Sequence, residues 1–314
     1  MLNFIIKILL KIFNRRKYLE IKESEKNKKK LIFYNKNIKH KLEEIDNYLK
    51  KKKKLSFLHS GHCGDLIYSL PLIKELSKKY ECDLFVQLNK KNVLYYHDHP
   101  AGNVMIDERM GELLLPLLKK QKYLNSVNIY ENQNIEIDLN LFREVPTNFY
   151  SHSIRWYSYL TGVPINMDEI FLDVEEHESI KNKIIIIRSA RQHNQFINFN
   201  FLKKRENLIF IGLKKEYNNL KQQIPYLEFY DCKNFLEMAQ IIKSSKFFIG
   251  NQSLGFAIAE GLKVPRLLEC SVDFPVVFPV GKNAYDFYHQ IHFENHKSGK
   301  FSLLETTSLP YHRS

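Results

Sequence analysis

Two short glycine-bearing segments, Gly61-His62-Cys63-Gly64-Asp65 and Gly250-Asn251-Gln252-Ser253-Leu254-Gly255, constrain this chain more than any other feature. Each follows a short apolar run, Leu55 to His59 and Phe247 to Ile249, and each opens a helix-like run, Leu66 to Tyr80 and Leu254 to Leu262. A strand, a tight turn and a helix form the first part of a βαβ unit, which needs a parallel sheet and a right-handed crossover. The pattern continues on both sides of the chain's middle. In the first half, Asp83 to Leu88, Ser126 to Tyr130 and Ile135 to Leu141 read as strands, and Met105 to Gln121 and Ser151 to Leu160 as helices. In the second, Ile184 to Ile187, Leu208 to Ile211, Leu227 to Tyr230 and Arg266 to Leu268 read as strands, with helices over Lys215 to Gln223 and Phe235 to Ser244. Apolar strands alternating with helices predict doubly wound α/β sheets. A chain of 314 residues has room for two such domains. We expect an N-terminal Rossmann-like domain over 55–165, and a C-terminal one over 166–314 that ends in a helix returning across the cleft. Ligands bind beyond the carboxyl ends of such strands, so two facing domains enclose a cleft.

The charge distribution decides which partners are plausible. Residues 1–54 hold 18 Lys and Arg against 6 Asp and Glu, leaving 30 against 29 for the rest. The body is nearly neutral and offers no basic groove for nucleic acid. The run from Met1 to Phe13 is too short and too interrupted by Lys7 and Lys11 to span a bilayer. Its positive charge follows the apolar run, as Arg15, Arg16 and Lys17, which is the reverse of a signal peptide. As a helix it puts Lys7, Lys11, Arg15 and Tyr18 opposite Phe4, Ile5, Ile8, Leu9, Ile12 and Phe13. That pattern fits an interfacial helix on an anionic membrane surface, followed by a Lys-rich linker to residue 54. A helix packed on its own body or on another subunit is the competing account. Cys63, Cys82, Cys232 and Cys270 are far apart and read as reduced thiols of a cytoplasmic protein. His97-Asp98-His99 lacks a third ligand, so no metal is expected.

Three constellations can carry chemistry. At the first junction Gly61 and Gly64 permit a tight turn around His62, and Asp65 is placed to take a proton from an acceptor hydroxyl, although a helix N-cap there needs no other explanation. At the second, the backbone from Gly250 to Gly255, with Asn251, Gln252, the Ser253 hydroxyl and Leu254, offers amides and a helix dipole to a diphosphate; Ser253 as an ordinary cap is the plainer reading. Arg188 and Arg191 follow the strand Ile184 to Ile187 and suit phosphate contacts and the stabilising of a leaving nucleoside diphosphate, a catalytic part that falls first to Arg188 as the nearer to the strand; a surface salt bridge is the competing account. The aromatic run holding Tyr285, Asp286 and Tyr288 either lines the cleft or packs in the core.

Taken together the motifs resemble a family. Gly64 to Pro71 is similar to the G-D-x-x-x-T-x-P motif of the ADP-heptose:lipopolysaccharide heptosyltransferases, and Gly250 to Pro265 matches without a gap their G-N-D-S-G-P-x-H-x-A-A-x-x-G-V-P stretch. The two motifs lie about 185 residues apart, one per domain. The resemblance implies a GT-B fold and inverting, metal-independent transfer from a nucleotide sugar, with no cofactor. It also implies a cell-envelope glycan or glycolipid acceptor of the kind met in lipopolysaccharide biosynthesis, and an enzyme peripheral on the inner face of the cytoplasmic membrane. Asp65 would be the base; Asn251, Ser253 and their backbone would hold the donor diphosphate. Gln252 stands where the family has Asp, Leu254 where it has Gly, Ala257 where it has His, and Glu260 where it has a small residue. The family's lysine segment is replaced by Arg188-Ser189-Ala190-Arg191. These departures point to a divergent member with a different donor. Two rivals are a GT-B protein that binds a nucleotide sugar or glycan without turnover, and a sugar-nucleotide epimerase. The absence of G-x-G-x-x-G after the first strand argues against a dinucleotide enzyme.

Overall fold

The computed structural model describes residues 2–92, 101–145 and 151–295. Three helices come first: α1 (Leu2–Phe13), α2 (Arg15–Asn37) and α3 (Lys39–Lys51). Asn14 ends α1 and caps α2, its Oδ1 accepting the Lys17 amide at 3.1 Å. From there α1 folds back on α2, and Lys7 pairs with Glu25 at 2.5 Å. Helix α2 buries none of its side chains. Ion pairs one turn apart, Arg16 with Glu20 in α2 and Lys39 with Glu43 in α3, support the helices in water. The Lys-rich stretch expected as a linker is therefore helical. Ile38 and Ile45 are buried in the core of the first domain and fix the arm to the body.

The first sheet holds β1 (Lys54–His59), β2 (Glu81–Val86), β3 (Ser126–Ile129) and β4 (Ile137–Asp138), parallel throughout, in the order β3-β2-β1-β4. Helices α4 (Cys63–Leu76), α5 (Glu108–Lys119) and α6 (Ser153–Thr161) accompany it. The strand expected over Ile135 to Leu141 shrinks to two residues. Asp138 accepts the Asn140 amide at 2.9 Å and starts a 3-10 turn, Leu139–Arg143.

The second sheet holds β5 (Ile184–Ile187), β6 (Leu208–Ile211), β7 (Glu228–Tyr230), β8 (Phe247–Asn251), β9 (Arg266–Glu269) and β10 (Ala284–Phe287). Its order is β10-β9-β8-β5-β6-β7, again parallel. Helices α7 (Lys214–Lys221), α8 (Phe235–Lys243), α9 (Leu254–Leu262) and α10 (Gln290–Asn295) complete the domain. The four isoleucines of β5 show why a continuous apolar run becomes a central strand. Ile185 and Ile187 join one core, Ile184 and Ile186 the other, because successive side chains leave opposite faces of the sheet. Each buried isoleucine contributes about 1.5–3 kcal/mol of transfer free energy.

The aromatic run begins as the edge strand β10, and of its two readings, cleft lining and core packing, Phe287 and Tyr285 follow the second by packing in the core of the second domain. Phe287 is buried against Phe293 of α10, ring centroids 4.2 Å apart, so α10 packs on its own domain. Residues 296–314 lie outside the described residues, as does the His97-Asp98-His99 segment.

The two domains share one continuous core, through α4 and α5 on one side and α8 and α9 on the other. Polar contacts reinforce it. The amide and hydroxyl of Ser153 donate to Val276 O at 2.9 and 3.0 Å, and His152 Nε2 lies 2.9 Å from Phe278 O.

Candidate active site

In both sheets the strand order reverses beside the first strand, between β1 and β4 and between β5 and β8. Such a switch point opens a crevice beyond the strand ends, where doubly wound sheets bind ligands. Both sequence motifs sit there, one in each domain. A Cβ added to Gly64 would lie 3.8 Å from the Leu254 nitrogen and 4.0 Å from the Ser253 carbonyl carbon. The mouths of α4 and α9 thus meet, at distances ordinary for van der Waals contact.

Asp65 lies in the first turn of α4, whose N-cap is His62, so it is not the cap. Its Oδ2 accepts a 2.7 Å hydrogen bond from Arg143, at the end of the 3-10 turn, and both side chains keep about 30% exposure. The backbone beneath is pinned. The Asp65 carbonyl accepts the Tyr157 hydroxyl at 2.8 Å, and that oxygen lies 3.1 Å from Nε2 of the fully buried His59. His59 Nδ1 accepts the Gly61 amide at 3.1 Å, which leaves the proton on Nε2 to donate to Tyr157. Burial holds the His59 imidazole well below its ordinary range, with Arg143 adding to the effect, so it stays neutral.

Gly61 and Gly64 are absent from the residues with positive φ, so the turn they permit does not use left-handed backbone. Gly61 provides space for the guanidinium of Arg143 and for the His59 ring.

His62 is half-buried, its Nδ1 3.2 Å from Met105 O. Burial pulls its imidazole below the ordinary value; Asp65 pushes it up and Arg191 pulls it down. Arg191 is exposed, on the 3-10 turn Ala190–Gln192.

Arg188 is placed otherwise than expected. Its Nε and NH2 grip the two oxygens of the fully buried Glu269 at 2.7 and 2.8 Å, and NH2 also donates to the Asn194 and Ile197 carbonyls at 3.1 Å each. Its guanidinium also lies over Phe199. These contacts shape the loop after β5, and the side chain also lines a hollow beside that loop.

Asn251 is fully buried, and its amide clamps Ser189, accepting the Ser189 N–H at 2.9 Å and donating to its carbonyl at 2.7 Å. It too shapes the loop instead of facing a donor. Ser253 does not cap α9; its hydroxyl turns back to Asn251 O at 3.0 Å. The first-turn amides of α9 are therefore left without that cap, and Gln252, Ser253 and Leu254 are half-buried at the cleft. Gly250 and Gly255 are packing positions, since a Cβ would come 2.9 Å from Ile187 O in one case and 2.4 Å from Ile187 Cδ1 in the other. Beside this loop a hollow of about 150 Å³ opens, lined by Ser189, His193, Glu216, Asn219 and Gln223 among others.

The departure at Glu260 has a local reason. Its carboxylate is fully buried and accepts Arg266 Nε at 2.6 Å and the Lys263 ammonium. Arg266, also fully buried, reaches the Val280 carbonyl. A small residue there would leave Arg266 without an anion. Among the described residues no cluster of three metal-ligating side chains occurs.

No protein-family model matches the chain, and neither does any curated protein. Solved structures do. The glycosyl transferase family 9 protein from Veillonella parvula DSM 2008 matches with a TM-score of 0.51 and 12% identity over 79% of this chain and 89% of that one. The E. coli heptosyltransferase WaaC with ADP-2-deoxy-2-fluoro heptose matches at 0.48 and 10%, over 74% and 92%. E. coli ADP-heptose lps heptosyltransferase II matches at 0.44 and 13%, over 74% and 90%. The fold is GT-B, two facing Rossmann-like domains preceded by a helical arm, as the sequence motifs led us to expect.

Proposed function

We propose that this chain is a glycosyltransferase that moves a sugar from a nucleotide-sugar donor to a cell-envelope glycan or glycolipid, with inversion and without a metal. The observation that carries the reading is the meeting of the two helix mouths, with a carboxylate in the first turn of one and the first-turn amides of the other. The acceptor hydroxyl gives its proton to Asp65 while its oxygen bonds to the anomeric carbon. The bond from that carbon to the diphosphate breaks, and its electron pair leaves with the nucleoside diphosphate. Arg191 and the first-turn amides of α9 offset the charge that develops there. Arg188 and Asn251, assigned to the donor on sequence grounds, act here by holding the loop that carries Arg191.

The arm fits a lipid-borne acceptor. Ile12 and Phe13, 67% and 81% exposed, project at the tip of the α1–α2 hairpin beside Arg15, Arg16 and Lys17. Apolar side chains flanked by cations suit an anionic membrane surface, here the inner face of the cytoplasmic membrane. No described helix is long and apolar enough to cross a membrane.

The test is a panel of ADP-, UDP-, GDP- and CMP-linked sugars incubated with protein and extracted glycolipids, read by mass spectrometry for product and nucleoside diphosphate. Transfer should fall by about 10²- to 10⁴-fold in Asp65→Asn. Full transfer by a folded Asp65→Asn protein would refute the base, and donor binding without any release would leave only a binding protein.

A further inference from the structure

We propose that Arg143, a residue no motif marks, is a positioning residue that sets the orientation of the Asp65 carboxylate in the cleft. The inference rests on Asp65 being the base. Two independent observations carry it.

The first is how firmly Arg143 is held. Its NH2 donates to Asp65 Oδ2 at 2.7 Å and its NH1 to Asn140 Oδ1 at 3.1 Å, and the guanidinium carbon lies 4.4 Å from the centre of the Phe142 ring. Asn140 is itself fixed. It is buried, its Nδ2 donates to Asp138 Oδ1 at 2.6 Å, and its Oδ1 also accepts the Ser60 amide at 2.9 Å. The end of β4 and the end of β1 are thereby tied to one amide, and the amide aims the guanidinium. Among the described residues only Oδ2 of Asp65 takes a hydrogen bond, so Oδ1 is the oxygen available to a hydroxyl.

The second is the room made for it. A Cβ at Gly61 would come 2.3 Å from Arg143 NH2 and 3.1 Å from its Cζ, while the Gly61 backbone needs no positive φ. The same Cβ would come 2.9 Å from His59 Cε1, so the glycine makes room for the guanidinium and for the imidazole. A free carboxylate turns about its side-chain torsions; one gripped at a single oxygen by a fixed fork does not. Displacing a reacting group by about 1 Å can cost about 10²-fold in rate.

Four variants test this on the same panel of nucleotide sugars: Arg143→Ala, Arg143→Lys, Gly61→Ala and Asp65→Asn. We expect Arg143→Ala to lower kcat by about tenfold to a hundredfold with the donor KM nearly unchanged, and Arg143→Lys to recover part of the loss. Millimolar guanidinium should rescue Arg143→Ala and leave Asp65→Asn unaffected. Gly61→Ala should lower kcat in the same direction by pushing the guanidinium aside. An unchanged kcat in Arg143→Ala would overturn the proposal. If Asp65→Asn is also fully active, the base assignment falls instead. Carbodiimide labelling of Asp65 reads the contact without any donor: it should be faster in Arg143→Ala than in the parent, and equal rates would likewise count against Arg143.

Discussion

Acidification should loosen the join between the domains through His152, and the size of the effect follows from its contacts. Its Nδ1 accepts the Ile154 amide at 3.1 Å, capping α6, and its Nε2–H donates to Phe278 O at 2.9 Å in the other domain. Both bonds need the neutral ring. Burial lowers its pKa from the ordinary 6.5 to about 4; the bond to Phe278 opposes the drop and the charge of Lys263 adds to it. Between those two values the unfolded chain binds a proton that the folded chain does not. Stability is therefore nearly complete well above pH 6.5 and falls as pH drops toward 4, by about 3 kcal/mol in full and by about 2.5 kcal/mol at pH 4.5. Trp156, the only tryptophan in the chain, is buried one turn along the same helix and reports the event by fluorescence. Urea unfolding at pH 7.0 and 4.5 should be compared for the parent and His152→Asn, which keeps a capping oxygen and loses the titration. The variant should be the weaker protein at pH 7.0, and the gap should narrow by about 2.5 kcal/mol at pH 4.5. Because His59 and the carboxylates titrate in both proteins, the comparison isolates this ring. A gap that does not change with pH would refute the reasoning.

Two further outcomes are expected. Glu260→Gln keeps the shape but leaves the buried Arg266 and Lys263 without an anion, and should cost about 3–5 kcal/mol, a loss that adding Arg266→Met recovers in part; calorimetry of the three proteins decides. Replacing both Ile12 and Phe13 by Glu should abolish sedimentation with anionic lipid vesicles while leaving the thermal midpoint within about 1 °C, since both side chains are exposed; retained binding would remove the tip from the interface.

Much of the scaffold was legible because its signals are local. A four-residue isoleucine run and a glycine-bearing junction specify a buried parallel strand and its exit without reference to the rest of the chain. The site was legible only in outline. Asp65 and Arg143 are 78 residues apart, and Arg188 and Glu269 are 81 apart, so each partnership depends on sheet order that no single-chain pattern encodes. Asn251 reads as a ligand-facing amide until the loop after β5 is placed against it. The edge strand β10 was readable after all. Tyr285 and Phe287 alternate with Asp286, a period of two that marks a strand. The arm is ambiguous for a different reason: a Lys-rich stretch suits both a solvated linker and a helix, and it is the pairs one turn apart that favour the helix.

The unburied length of α2 has a geometric consequence. A helix of 23 residues with no buried side chain, which meets the body through Tyr34 near its end, acts as a graduated shaft between the hairpin tip and Ile38. Each residue added to or removed from its free length moves the tip by about 1.5 Å and swings it by about 100° around the axis. A single deletion ahead of Tyr34 would turn Phe13 through more than a quarter of a circle and leave the packing of Tyr34 and Ile38 in place. A change of about 18 residues, five full turns, would restore its bearing. The azimuth at which the tip meets its surface is thus written in a residue count, independently of anything in the cleft.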